Sequence, residues 1–92
     1  MIKSWRHKGL KLFYETGSTA KINAKHASRL HDILQALDFA TFPEQMSLPG
    51  LKFHKLAGNL KSCYAVSVSG NWRLIFKFDG QDAILVDYQD YH

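Results

Sequence analysis

The chain has 92 residues, 46% hydrophobic and 22% charged, with a single cysteine, Cys63. That balance predicts one globular domain over 1–92, near the lower size limit for folding on a hydrophobic core, and excludes a disordered chain. One cysteine excludes an internal disulfide and a multi-cysteine zinc site.

The formal charge of +4 is unevenly spread. Residues 1–31 carry Lys3, Arg6, Lys8, Lys11, Lys21, Lys25 and Arg29 against Glu15, a net of +6, while residues 32–92 sum to −2. A one-sided basic half suits a polyanion such as nucleic acid, or an acidic protein partner; the bland alternative is an ordinary solvated basic face. No apolar stretch is long enough for a bilayer. Met1–Arg6 lacks the apolar core of a signal peptide, so a cytoplasmic protein without a membrane partner is expected.

In chain order, Ile2–Trp5 reads as a short strand. His7–Thr16 reads as a helix with Leu10, Phe13 and Tyr14 on one face and Gly17 placed to end it. A second helix follows, with Ala27, Leu30, Ile33, Leu34 and Leu37 at helical spacing and Asn23 as its N-cap. Its other face carries Lys25, His26, Arg29 and Asp32. Pro43 and the Leu48-Pro49-Gly50 turn close the helical half.

From Leu51 the apolar period becomes that of strands. Leu51–Leu56 is the first, and a second alternates Tyr64, Val66 and Val68 with Ala65 and Ser67. Gly70-Asn71 is a two-residue hairpin turn. Trp72–Phe78 forms the third strand, with Trp72, Leu74, Phe76 and Phe78 on one face. After the Asp79-Gly80 turn, a fourth strand runs from Ala83 towards His92. Helices first and an antiparallel meander after predict an α+β fold, two N-terminal helices packed on one side of a mainly antiparallel sheet.

The chemistry-bearing residues lie mostly in the strand half. Alternation puts Arg73 on the face opposite Trp72 and Leu74, where a guanidinium can grip two phosphate oxygens and stabilise charge developing on a phosphate. The bland reading is a solvated strand arginine, or one paired with Asp90. His54 and His92 are the histidines outside the helical half, and imidazoles near neutral pKa can divide the roles of proton acceptor and donor. RNA cleavage without metal needs both: a base for the ribose 2′-hydroxyl and an acid for the departing 5′-oxygen. Tyr88 should share a face with Asp90 and His92, whereas Tyr91 faces away unless the strand ends near Asp90. Tyr91 could stack on a base of single-stranded RNA.

Lys52-Phe53-His54-Lys55-Leu56-Ala57-Gly58, Tyr64–Val68 with Asn71-Trp72-Arg73-Leu74, and Asp87–His92 together resemble the HigB branch of the RelE toxins. The opening Ile2-Lys3-Ser4 and Lys8-Gly9-Leu10 extend the resemblance over nearly the whole chain. Its most specific parts are the terminal Asp-Tyr-His and the Asn-Trp-Arg segment. The resemblance implies the RelE-like microbial ribonuclease fold. It implies a toxin of a type II toxin–antitoxin pair, a metal-independent endoribonuclease without cofactor that cuts messenger in the ribosomal A site. The 2′-hydroxyl would attack the adjacent phosphate, leaving a 2′,3′-cyclic phosphate and a 5′-hydroxyl. Carried over by position, His54, Arg73, Asp90, Tyr91 and His92 match the family's active-site residues. Lys21, Lys25, Arg29, Lys52, Lys55 and Lys61 are the expected RNA contacts. The partners implied are the small ribosomal subunit with its messenger and a helix-turn-helix, HigA-like antitoxin through which operator DNA is bound. One position departs: the family commonly has lysine where this chain has Ala57. That keeps open a second reading, a protein of the same fold that binds ribosome or antitoxin with little or no cleavage.

Overall fold

The computed structural model describes residues 1–58 and 62–90. Helices α1 (Lys8–Thr16) and α2 (Ala27–Phe39) precede four strands, β1 (His54–Lys55), β2 (Tyr64–Ser69), β3 (Trp72–Asp79) and β4 (Asp82–Asp90), with 3-10 turns at Ala24–His26 and Pro43–Met46. The strands form one sheet in the order β1-β2-β3-β4, each pair antiparallel. The expected α+β architecture is present. No helix of the described residues is long and apolar enough to cross a membrane.

His7 caps α1 by accepting the Leu10 N–H on Nδ1, and Gly17 ends it at φ +81° with its N–H on the Phe13 carbonyl. Leu10 and Phe13 from α1 and Leu30, Ile33, Leu34 and Leu37 from α2 pack on Val66, Val68, Leu74, Phe76, Ala83, Val86 and Tyr88. Both helices therefore cover one face of the sheet. A smaller apolar cluster of Cys63, Ala65 and Ile75, with Leu56 against it, lies on the other face. Gly9 is the point of closest approach between α1 and the chain before α2. A Cβ there would lie 2.5 Å from the Lys21 Cβ and 2.8 Å from its carbonyl oxygen.

Three expectations need correction. Ile2–Trp5 forms no strand of its own; it runs parallel to β4 through bridges at Ile2–Ala83 and Trp5–Val86. The first strand is confined to His54–Lys55, because Lys52 has φ +51° and interrupts the extended backbone. Asn23 caps the 3-10 turn rather than α2, accepting the Lys25 N–H, and α2 itself starts at Ala27.

Two bulges shape the sheet. In β2 the register shifts between Ser67 and Ser69, and at this point the Val68 carbonyl accepts the Arg29 Nε at 2.7 Å. In β4 an extra residue opposes β3 between Ile75 and Lys77. Leu85 sits there at φ +54° and donates its N–H to the Ser4 hydroxyl. A left-handed leucine costs about 1–2 kcal/mol, but the inserted residue resets the alternation of β4. Ala83 and Val86, three apart, both reach the core as a result. The Gly70-Asn71 turn is as expected, with Gly70 at φ +55°, the first position of a type II′ hairpin.

Candidate active site

His54 and Arg73 share the sheet face away from the helices. His54 is directly opposite Ala65 on β2, and Arg73 is opposite Ser67, two residues further along. Opposed residues of an antiparallel pair point to the same side. Strand spacing and residue rise put the two backbones about 12 Å apart.

Each side chain is held. The His54 Nδ1 is 2.9 Å from the Lys52 carbonyl oxygen. A carbonyl only accepts, so Nδ1 carries the proton and, in the neutral ring, the exposed Nε2 keeps its lone pair. The left-handed turn at Lys52 that shortened β1 is what aims this carbonyl back at the ring. Arg73 Nη1 donates to the Gly70 carbonyl at 2.7 Å and the Trp72 carbonyl at 3.1 Å, with the Ser67 hydroxyl at 3.4 Å. The hairpin turn thus grips one corner of the guanidinium.

Asp90 does not join them on that face. It is opposite Trp72, whereas the residue opposite Arg73 is Gln89. Trp72 and Tyr88 belong to the helix side, so Asp90 does too, and its charge is felt by the Tyr88 phenol. Tyr88 and Asp90 share a face, as alternation predicted. Tyr91, His92 and Lys61 lie outside the described residues. Ala57 is exposed.

The basic residues divide by role. Lys21, Lys25, Lys52 and Lys55 are exposed. The segment holding Lys21 and Lys25 lies at the Asp90 end of the molecule, since His26, next to Lys25, hydrogen-bonds to Tyr88. Arg29 differs. Besides its bond to Val68, its Nη2 donates to the Gly50 carbonyl at 3.0 Å, tying α2 to the bulge and to the loop before β1.

Sequence reasoning missed His26. Placed with Lys25 and Arg29 on the outer helix face, it is instead 7% exposed. It belongs to the 3-10 turn, so the angular phase of α2 does not extend to it. Its Nδ1 hydrogen-bonds to the Tyr88 hydroxyl, and its ring meets Trp72 edge-on at 5.4 Å. Burial raises the Tyr88 phenol above its ordinary value of 10.0; the Asn23 backbone bond opposes this and the Asp90 carboxylate adds to it.

The two-helix layer on an antiparallel meander, taken with the sequence, defines a RelE-like toxin. The YoeB–YefM complex from Staphylococcus aureus contains a chain of like fold, with a TM-score of 0.57 over 97% of this chain and 98% of that one, at 19% identity. Residues 3–92 match the model of the HigB-like toxins, described as RelE-like toxins of the type II toxin–antitoxin system HigB, and this chain belongs to that family. It is 41% identical to the protein named Endoribonuclease HigB from Proteus vulgaris, across the full length of both. An antitoxin partner follows from the family.

Proposed function

We propose that this toxin is a ribosome-dependent endoribonuclease that cuts messenger in the A site. The observation that carries the reading is the His54 ring, oriented by the Lys52 carbonyl so that its free Nε2 stands on the same sheet face as Arg73. The full-length relative from Proteus vulgaris, named as an endoribonuclease, supports it.

In this mechanism His54 Nε2 takes the proton of the ribose 2′-hydroxyl, whose oxygen attacks the adjacent phosphorus. The bond to the 5′-oxygen breaks as His92 donates a proton to it, leaving a 2′,3′-cyclic phosphate and a 5′-hydroxyl. Arg73 stabilises the charge that gathers on the phosphate oxygens, a contribution larger in a dry site than in water. Asp90 orients or charges a neighbouring group, and Tyr91 stacks on a base. Acid–base assistance of this kind contributes about 10²–10⁴ in rate. Lys21, Lys25, Lys52, Lys55 and Lys61 supply contacts to ribosomal and messenger RNA. Arg29 contributes to that surface through the charge it keeps while bound to two carbonyls. The antitoxin is a HigA-like helix-turn-helix protein, operator DNA is reached only through it, and the toxin acts in the cytoplasm.

The test is cleavage of one messenger on programmed ribosomes and free in solution, with 5′ ends mapped, for wild type and His92→Ala. Cuts confined to the ribosome and lost in the variant are expected; equal cutting of naked RNA overturns ribosome dependence. Exposed Ala57, where the family commonly has lysine, favours the second reading of a weak or inactive binder. That reading predicts ribosome binding without new 5′ ends from the wild type.

A further inference from the structure

The backbone hydrogen bonds between the N-terminal segment and β4 stop short of Asp90. They run from Ala83 to Val86, the last being those of the Arg6 and His7 N–H groups to the Val86 carbonyl. From Asp87 to Asp90 the described ladder is with β3. The end of a strand is where fraying ordinarily begins.

At that place the chain has a clamp of rings. Tyr88 stacks on Trp72, centroids 4.6 Å apart and planes at 27°, while His7 and His26 meet it edge-on at 5.4 and 6.0 Å. Tyr88 is 4% exposed and its hydroxyl bonds to His26, the one buried polar or charged side chain among the described residues. Phenylalanine and leucine would fill the same space without placing two polar groups where both must be satisfied. The pair anchors β4 to the turn before α2, two residues short of Asp90.

We propose that the His26–Tyr88 hydrogen bond positions the end of β4 for catalysis, holding Asp90 in the geometry its proposed role needs. This rests on the endoribonuclease reading above. His26 and Tyr88 are positioning residues; neither needs to touch RNA. Misplacing a reacting group by about 1 Å costs on the order of 10²-fold in rate, which makes one buried bond two residues from Asp90 consequential.

The experiment compares wild type, Tyr88→Phe, His26→Leu and the double variant in single-turnover cleavage on ribosomes, alongside thermal melting and amide exchange at Gln89 and Asp90. Tyr88→Phe keeps the ring on Trp72 and loses only the hydroxyl. Expected are kcat lowered roughly 10- to 100-fold with KM unchanged, and faster exchange at Asp90. The double variant replaces both polar partners with apolar groups, so it should regain stability without regaining kcat. Cleavage that recovers along with stability would make the bond merely structural and overturn the inference. So would wild-type kcat in Tyr88→Phe. An inactive wild type would instead remove the endoribonuclease reading, and this inference with it.

Discussion

His54 shows how one backbone carbonyl selects the tautomer of a side chain. An imidazole on an exposed strand has two tautomers in water, and only the Nδ1–H form presents Nε2 as a base. The Lys52 carbonyl selects that form, and it points there because Lys52 is left-handed. His54→Gln retains a polar side chain but has no titratable lone pair near neutrality. We expect the variant to bind ribosomes normally and to cleave roughly 10²–10⁴ times more slowly, read from single-turnover rates at saturating ribosome. A wild-type rate would move the base role away from His54, with Asp90 the next group to test. Arg73 is legible from alternation alone, since an odd position in β3 must oppose Trp72 and Leu74. The grip of Gly70 on its Nη1 was not legible, because it depends on the turn closing back over the strand.

At the level of elements, α2 is a core helix whose outer face does two jobs. Sequence places Lys25 and Arg29 together as basic residues on that face, yet the structure separates them. Arg29 donates to two carbonyls from β2 and the 48–51 loop, and Lys25 is exposed. The two sites therefore respond differently to neutralisation. Arg29→Ala should lower stability by about 1–3 kcal/mol, the cost of leaving the partly buried Val68 carbonyl without its charged donor, measured by urea unfolding. Lys21→Gln with Lys25→Gln should leave the unfolding midpoint in place. That pair should weaken ribosome binding and flatten its salt dependence, because each lost phosphate contact releases fewer counterions. Stability unchanged in Arg29→Ala would show that water replaces the guanidinium at the bulge; an unchanged salt slope in the lysine pair would make Lys21 and Lys25 an ordinary solvated surface.

Over the whole molecule, one core holds the helices to one sheet face, and its edge carries phenols whose protons matter at high pH. Burial raises the Tyr88 phenol, and burial with the neighbouring Asp38 carboxylate raises that of Tyr14. A raised folded value means that the folded state holds the proton more tightly than the unfolded chain. The corresponding stability is complete below the unfolded value of about 10 and is lost as pH rises through the folded one. Tyr88 should dominate, being 4% exposed against 40% for Tyr14. Urea midpoints should thus hold steady to about pH 10 and fall above it, with a shallower fall in Tyr88→Phe. Parallel declines in both proteins would assign the alkaline transition to groups other than Tyr88.

Sequence by itself determined the class of fold, the faces of α2 and β3, the hairpin at Gly70-Asn71, and the placement of Arg73 opposite Trp72 and Leu74. These depend on period, turn chemistry and residue type, which act over a few neighbouring residues. Tertiary structure decided the rest. Leu85 takes a left-handed backbone because Ser4, eighty-one residues away, receives its N–H, and that insertion resets which residues of β4 enter the core. His26 is buried because a 3-10 turn rotates it under Tyr88, a partner sixty-two residues distant. The placement of His54 and Arg73 on the open face and of Asp90 on the helix side follows from cross-strand register. Bulges, short turns and register are settled by contacts between distant segments, whose energies outweigh the local preferences that a sequence pattern records.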